Sequence, residues 1–280
     1  MKLFLIRHAE SEHNVAQVYA GVTDSALSNH GMLQIDRLAH HFAAHAQKNL
    51  VFTRVFCSDL ARARLTAEGI CAEQTAGALQ PVIFPVLREK DFGYLEGKRW
   101  DTVETLGHTT MEQQQQQPES QASITLRVTT FVREHILPLL LQSQGGGPEE
   151  EIIAVVSHGI TLRALWDVLE HLFHPQNVHL GHGIAAGTRI PSWSNTGYLE
   201  LDIHPPTSPP AAAAGETVRP LEATVTGVSG LTILSHHALT IRTVNGRTHL
   251  SNLRRTPRVG SATHDAKQKR IDGFFKKKPL

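Results

Sequence analysis

Two short segments of this chain are apolar at every position: "LFLI" at residues 3–6 and "IIAVV" at residues 152–156. A strand with one face in water alternates apolar and polar residues, because successive side chains point to opposite faces. An unbroken apolar run of strand length needs cover on both faces, the condition of a parallel strand between two layers of helices. The chain supplies that cover. Residues 28–45, 58–74, 124–141 and 160–173 carry apolar residues at helical spacing, with Leu33, Leu38 and Phe42 on the face of the first. Ser28 and Ser58 stand where N-caps of the first two belong. Further strands are expected at 2–7, 51–57, 81–86 and 198–203. The alternation predicts an α/β fold: a mostly parallel central sheet with helices on both faces.

Bulk properties narrow the class. A chain of 280 residues with 40% apolar content fits one large domain with an appendage. No apolar run approaches the roughly 18 residues that span a bilayer, and the apolar stretch before Arg7 is too short for a signal peptide. Cys57 and Cys71 form neither a disulfide framework nor a metal-ligand spacing, so Cys57 is expected as a small core residue. Nucleus and/or cytoplasm is the expected location, with no membrane partner.

The net charge of +1 hides an asymmetry. From residue 247 onward there are ten Lys/Arg and two Asp, a local charge of +8, which leaves −7 on the remainder. Composition also shifts after residue 203. "HPPTSPPAAAAGE" is too rich in Pro and small residues to pack, so 204–222 reads as a linker. The β-type runs and the Asn245-Gly246 pair predict a small β-hairpin extension over 223–253. Residues 254–280 are polar and basic and are expected to be disordered. Residues 111–121, with five consecutive Gln, read as a low-complexity insertion.

In parallel α/β sheets ligands collect beyond the carboxyl ends of the strands. Arg7, His8 and Asn14 follow the first predicted strand, Arg62 lies in the helix after the second, Glu89 follows the third, and His158 and Gly159 follow "IIAVV". These residue types suit phosphoryl chemistry. A guanidinium fork donates two hydrogen bonds to two oxygens of a phosphate. The helix beginning beyond Gly159 is expected to add its N-terminal amides. A neutral imidazole among such donors can attack phosphorus, and a carboxyl group such as that of Glu89 can protonate the leaving alkoxide.

"LIRHAESEHN", "SDLARARLTA", "LREKDFGYLEG" and "VVSHG" resemble, in order and spacing, the four signature segments of the histidine phosphatase superfamily, in its phosphoglycerate-mutase-like branch. "TDSALSNHGMLQ" and "NTGYLEL" are similar to further family segments, and the resemblance covers residues 1–203. It implies His8 as the phosphorylated nucleophile and Glu89 as the proton donor. It also implies a phosphate pocket of Arg7, Asn14, Arg62 and His158, with Gly21 in a loop close to the ligand. The Leu-x-Arg-Ala spacing selects Arg62 over the neighbouring Arg64; Asp91 and Glu96 share a loop with Glu89. No metal and no cofactor is implied. The first motif has Ala9 where many members have Gly. "EKDFGYLEGKRW" is more similar to the phosphatases of the family than to its mutases, which carry an adjacent Arg pair after the acid. The expected partner of the site is a small phosphorylated substrate or a phosphoprotein. Phosphoglycerate-type mutase activity, and a phosphatase fold kept as an interaction module of a nuclear complex, stay open as alternatives.

The tail carries its own signal. In "QKRIDGFF", residues 268–275, Gln268, Ile271, Phe274 and Phe275 form a Gln-x-x-aliphatic-x-x-aromatic-aromatic pattern. It resembles the motif by which replication and repair proteins dock on the sliding clamp (PCNA). The spacing puts Gln268, Ile271 and Phe274 on one side of a tight helical turn. Beyond the charge of this tail, no direct recognition of nucleic acid is expected.

Overall fold

The strand predicted at the head of the chain is β1 (Lys2–Arg7), and in the computed structural model it is the middle strand of a seven-stranded sheet. The structure describes residues 1–46, 50–74, 79–101, 115–142, 151–185, 188, 193–204, 234, 237–255 and 262–263. The side chains of β1 divide between two cores. Leu3 and Leu5 pack with Ile124, Phe131, Leu162 and Leu165 on one face. Phe4 and Ile6 pack with Leu38, Phe42, Ala63 and Ile70 on the other. Each such side chain contributes roughly 1.5–3 kcal/mol by leaving water, which is why the run tolerates no polar residue.

The other strands are β2 (Arg54–Cys57), β3 (Val82–Ile83), β4 (Ile152–Ser157), β5 (Val178–Leu180), β6 (Tyr198–His204) and β7 (Ala238–Gly246). Their order across the sheet is β3-β2-β4-β1-β6-β7-β5. Among these strands β6 alone runs against the rest. The helices are α1 (Glu12–Ala16), α2 (Asn29–Ala46), α3 (Ala61–Ala72), α4 (Gln121–Phe131), α5 (Leu137–Gln142) and α6 (Gly159–Glu170). Among the described residues, no helix is long and apolar enough to cross a membrane.

Several local expectations are corrected. Ser28 does cap α2, its Oγ accepting from the Gly31 amide at 3.0 Å, but Leu33 lies outside the buried face and is 49% exposed. Ser58 does not cap α3: the helix starts after Leu60, and Asp24 Oδ1 accepts the Ala61 amide at 2.9 Å. The third strand shrinks to two residues because Pro85 opens a 3-10 turn. The single helix expected over 124–141 contains a π turn at Val132–Ile136, where the Leu137 amide bonds to the Val132 carbonyl. Pro138 is the physical reason, since it has no amide to continue the α ladder.

The predicted hairpin over 223–253 is not a separate unit in its described part. β7 is one strand of the main sheet, antiparallel to β6, with Leu239 opposite Ile203 and Ile241 opposite Leu201. Without it, β6 would present an open edge of unpaired amides and carbonyls. Leu239 is fully buried in the core beneath α4 and α6. The buried Asp202 carboxylate joins the two strands to β1, accepting from Arg242 Nε at 2.5 Å and Lys2 Nζ at 2.7 Å. Burial alone would raise this carboxyl, but hydrogen bonds from Lys2 and Arg242 hold it below its ordinary value. Asn245, at φ 49°, makes no hairpin turn; its Oδ1 accepts the Ser194 amide at 3.0 Å.

The segment predicted as a disordered tail from 254 is also anchored in its described part. Arg255 pairs with Glu10 at 3.0 Å, the Ala262 carbonyl accepts the Asn29 amide at 3.0 Å, and Thr263 bridges Ser28. The linker beyond His204, residues 111–114 of the Gln-rich segment, and residues 268–275 lie outside the described residues.

If β7 belongs to the main sheet, Leu239→Ala should destabilise the whole body by about 2–5 kcal/mol. The measurement is a urea titration followed by tryptophan fluorescence. An independent hairpin would leave the main transition where it is.

Candidate active site

Parallel pairing of β1 with β4 sets Arg7 opposite Ser157. One residue further on, both strands place a histidine. The rings of His8 and His158 lie side by side, 5.0 Å between centroids, and both are buried. His8 Nδ1 is 2.7 Å from the Ala9 carbonyl oxygen. A carbonyl only accepts, so this bond assigns the proton of a neutral ring to Nδ1 and leaves the lone pair on Nε2.

Two arginines border these rings. β2 ends beside β4, and the chain turns into α3 so that Arg62 falls in its first turn, 1% exposed. Arg62 Nη2 donates to the Gly21 carbonyl at 2.7 Å and Nη1 to the Thr23 carbonyl at 2.9 Å. Gly21 has φ 52°, and a Cβ there would lie 1.8 Å from Glu96 Oε1, so glycine is what lets this loop reach Arg62. Arg7 Nη1 donates to the Trp193 carbonyl at 2.5 Å. A guanidinium has five N–H donors, so both forks keep donors in reserve. Arg7 Nε, Arg62 Nε and both ring nitrogens of His158 are buried without a partner among the described residues. Buried polar atoms of this kind call for a hydrogen-bonding partner, whether water or a bound group.

Thr66 ties the two halves of this corner. Its Oγ1 accepts the Ala9 amide at 3.1 Å and donates to the Arg62 carbonyl at 2.7 Å. Asn195 does the same on the other side, its Nδ2 donating to the His8 carbonyl and to Asn14 Oδ1, each at 3.0 Å. Asn14 Oδ1 also accepts from the Ser11 amide and hydroxyl. The Asn14 amide nitrogen has no partner among the described residues, and the residue lines the cavity.

Glu89 sits across Gly159 from Arg7; a Cβ at Gly159 would lie 3.9 Å from Arg7 Nε and 4.0 Å from Glu89 Oε2. Its carboxylate accepts the Ile160 and Thr161 amides at 3.2 Å each. The N-terminal amides of α6, expected to serve a phosphate, are therefore engaged by Glu89. The two rival acids are occupied elsewhere. Asp91 accepts the Gly93 amide, while Glu96 accepts the amides of Val22, Thr23 and Phe92. Arg64 points away and pairs with Glu68.

Arg7, His8, Asn14, Gly21, Arg62 and Glu89 thus meet on one cavity of about 390 Å³, with His158 packed beside His8. Sequence reasoning missed Thr66, Trp193 and Asn195, and the aromatic side of the cavity formed by Tyr19, Phe92 and Trp100. Asn195 lay within a quoted family segment, so a signal for it existed. Trp193 lay outside every quoted family segment.

The sequence profile of the histidine phosphatase superfamily (branch 1) matches residues 3–199. The chain belongs to that superfamily. A probable phosphatase of Schizosaccharomyces pombe is 30% identical over 282 residues, spanning 98% of this chain and 79% of that protein. A 2,3-bisphosphoglycerate-dependent phosphoglycerate mutase of Azorhizobium caulinodans is 30% identical over 178 residues, 61% of this chain and 82% of its own length. Among solved structures, a mycobacterial hydrolase shares the fold with a TM-score of 0.57 at 20% identity, covering 88% of this chain and 98% of that one. The histidine phosphatase fold is thus a mixed α/β sheet here, as the alternating elements predicted.

Burial first, then the charges of Arg62 and Arg7, hold the His8 imidazole well below its ordinary value, so the ring is neutral at pH 7. Arg62→Gln removes one of those charges and should raise the His8 pKa. In NMR of the ring Cε1–H, wild-type His8 should not titrate between about pH 5 and 8. The variant's midpoint should move upward. An unmoved midpoint would show that the Arg62 charge does not reach His8.

Proposed function

We propose that this chain is a metal-independent phosphatase of phosphomonoesters that works through a phosphohistidine on His8. The observation that carries the reading is the buried corner itself. It holds a neutral histidine with Nε2 unprotonated, two arginines with donors in reserve, and a carboxyl group on the far side of Gly159. Nε2 of His8 attacks phosphorus as the P–O bond to the alcohol breaks, and the leaving oxygen takes a proton from Glu89. The Glu89 carboxylate then removes a proton from water, which attacks the phosphohistidine and releases inorganic phosphate. Arg7, Arg62 and the Asn14 amide stabilise the charge on the equatorial oxygens throughout.

The curated relatives include both phosphatases and mutases. A mutase must hold a substrate bearing a second anionic group. Outside the phosphate corner, one further cation lines the cavity among the described residues, Arg163, and its guanidinium pairs with Asp167 at 3.2 Å. This balance favours hydrolysis. The intact set of reacting groups also speaks against a fold kept only for interaction.

Single-turnover rates in the presence of chelator test the roles. His8→Ala should give no acid-labile phosphoenzyme. Glu89→Gln should slow phosphoenzyme formation about 100-fold or more with an alkyl ester, but by under about 10-fold with nitrophenyl phosphate, whose leaving group needs no proton. Equal losses with the two substrates would take the acid role away from Glu89.

We also propose, from sequence, that residues 268–275 recruit the phosphatase to the sliding clamp (PCNA) in the nucleus. Gln268, Ile271, Phe274 and Phe275 supply the anchors, and the Lys and Arg residues around them favour an acidic partner surface. A peptide of residues 264–280 should bind the clamp in a calorimetric titration with micromolar affinity or better. Phe274→Ala with Phe275→Ala should lose about 3 kcal/mol. Absence of heat with the wild-type peptide would remove the proposal.

A further inference from the structure

The cavity has two chemically different parts. The corner around His8 is cationic, whereas the remaining wall is mostly apolar, built from Val18, Tyr19, Ala20, Phe92, Trp100, Ile160 and Trp193, with Arg163 as its one charged residue among the described residues. A phosphoryl group fills only a minor part of about 390 Å³, so this wall faces the leaving group.

The wall is held rigidly. Residues 17–19 and 97–100 pair as a short antiparallel ladder. The Tyr19 amide donates to the Lys98 carbonyl at 2.9 Å, the Gly97 amide to the Tyr19 carbonyl at 2.8 Å, and the Trp100 amide to the Gln17 carbonyl at 3.1 Å. This ladder sets Val18, Tyr19 and Trp100 together. The Tyr19 and Phe92 rings stack tilted at 39°, 4.5 Å between centroids. Glu96 binds the Phe92 amide and the loop that follows Gly21, so wall and phosphate corner move as one piece. Trp193 is fixed at both ends, its indole donating to the Leu5 carbonyl at 3.1 Å and its own carbonyl accepting from Arg7. Trp100 is 47% exposed at the mouth, an aromatic surface left in water.

A sugar or hydroxy-acid leaving group carries several hydroxyl or carboxylate groups, which lose water here and meet mostly carbon. An aromatic ring suits the same wall, because it offers apolar area and an offset-stacking face to several rings at once. We propose that the preferred substrate is a small phosphomonoester whose leaving alcohol or phenol carries an aromatic ring, recognised by Tyr19, Phe92 and Trp100. This rests on the phosphatase reading of the corner, since it assigns the part of the same substrate beyond the phosphorus.

The test compares 3-phenylpropyl phosphate with propyl phosphate. Their alkoxides are of nearly equal basicity, so the chemical step is the same and only the ring differs. In the full-length protein, kcat/KM for the phenylpropyl ester should be at least about tenfold higher. Trp100→Ala and Tyr19→Leu should each lower that ratio severalfold, and Trp100→Phe should retain most of it. Trp100 is exposed, so its replacement is compatible with folding. A wild-type ratio near one, or a ratio that neither variant lowers, would overturn the ring preference while leaving the phosphatase reading intact. No His8-dependent turnover of either ester or of nitrophenyl phosphate would remove the phosphatase reading, and the ring preference with it.

Discussion

Positive charge is buried at the carboxyl edge of this sheet without a carboxylate to neutralise it directly. Arg62 is almost wholly removed from water, and its two Nη atoms donate to the carbonyls of Gly21 and Thr23. Burying an ion unpaired is expensive, and a full ion pair would be the common remedy. The acids nearby are withheld from that role by main-chain amides. Asp24 takes the Ala61 amide, Glu96 takes three amides around the Gly21 loop, and Glu89 takes two at the start of α6. Glu89, Asp24 and Glu96 act on Arg62 through space, while the carbonyls that hold the guanidinium leave N–H groups for an anion. The neutral state of His8 follows from the same arrangement, since burial and the two arginines both disfavour an added proton.

Strand register converts that local constraint into a requirement on the whole sheet. His8 and His158 are neighbours because β1 and β4 run parallel and in step; a slip of one residue would turn one ring to the opposite face. The C-terminal segment secures the same region from outside. β7 closes the β6 edge, and Arg255, Ala262 and Thr263 fasten onto Glu10, Asn29 and Ser28, just beyond His8 and at the start of α2. Residues that composition assigns to an appendage are thus part of the body that carries the site.

The extent to which this was legible in the sequence depends on how each element is stabilised. Leu3 to Ile6 announces its position because both faces are buried and every residue must be apolar. The phosphate corner was legible because four strand ends each carry a distinctive residue type. The β character of 223–253 was legible, but the place of β7 in the main sheet was not, since its residues are only partly buried in an irregular pattern and its partner strand lies across the Pro- and Ala-rich stretch. The Asn245-Gly246 pair misled for a physical reason: the positive φ of Asn245 serves a contact with Ser194 rather than a turn. Tyr19, Phe92 and Trp100 share no period, because loop-to-loop pairing brings them together and leaves no trace in local spacing. Glu89, Asp91 and Glu96 were equivalent on paper; only the amides that each one faces distinguish them.

The cavity divides along the lines of the fold. The phosphate corner is assembled at the ends of β1, β2 and β4, where register and core packing fix each atom. Changes there disturb the sheet itself. The wall that faces the leaving group comes from loops between elements, which tolerate substitution so long as their ladder and the Glu96 contacts persist. Selection for a new substrate can therefore act on residues such as Tyr19 and Trp100 without unsettling Arg62 or His8. Gly21 is the exception, because its carbonyl serves the corner and its missing side chain makes room for Glu96. It is the point where the cationic corner and the loop wall meet in a single residue, and a side chain added there would disturb both.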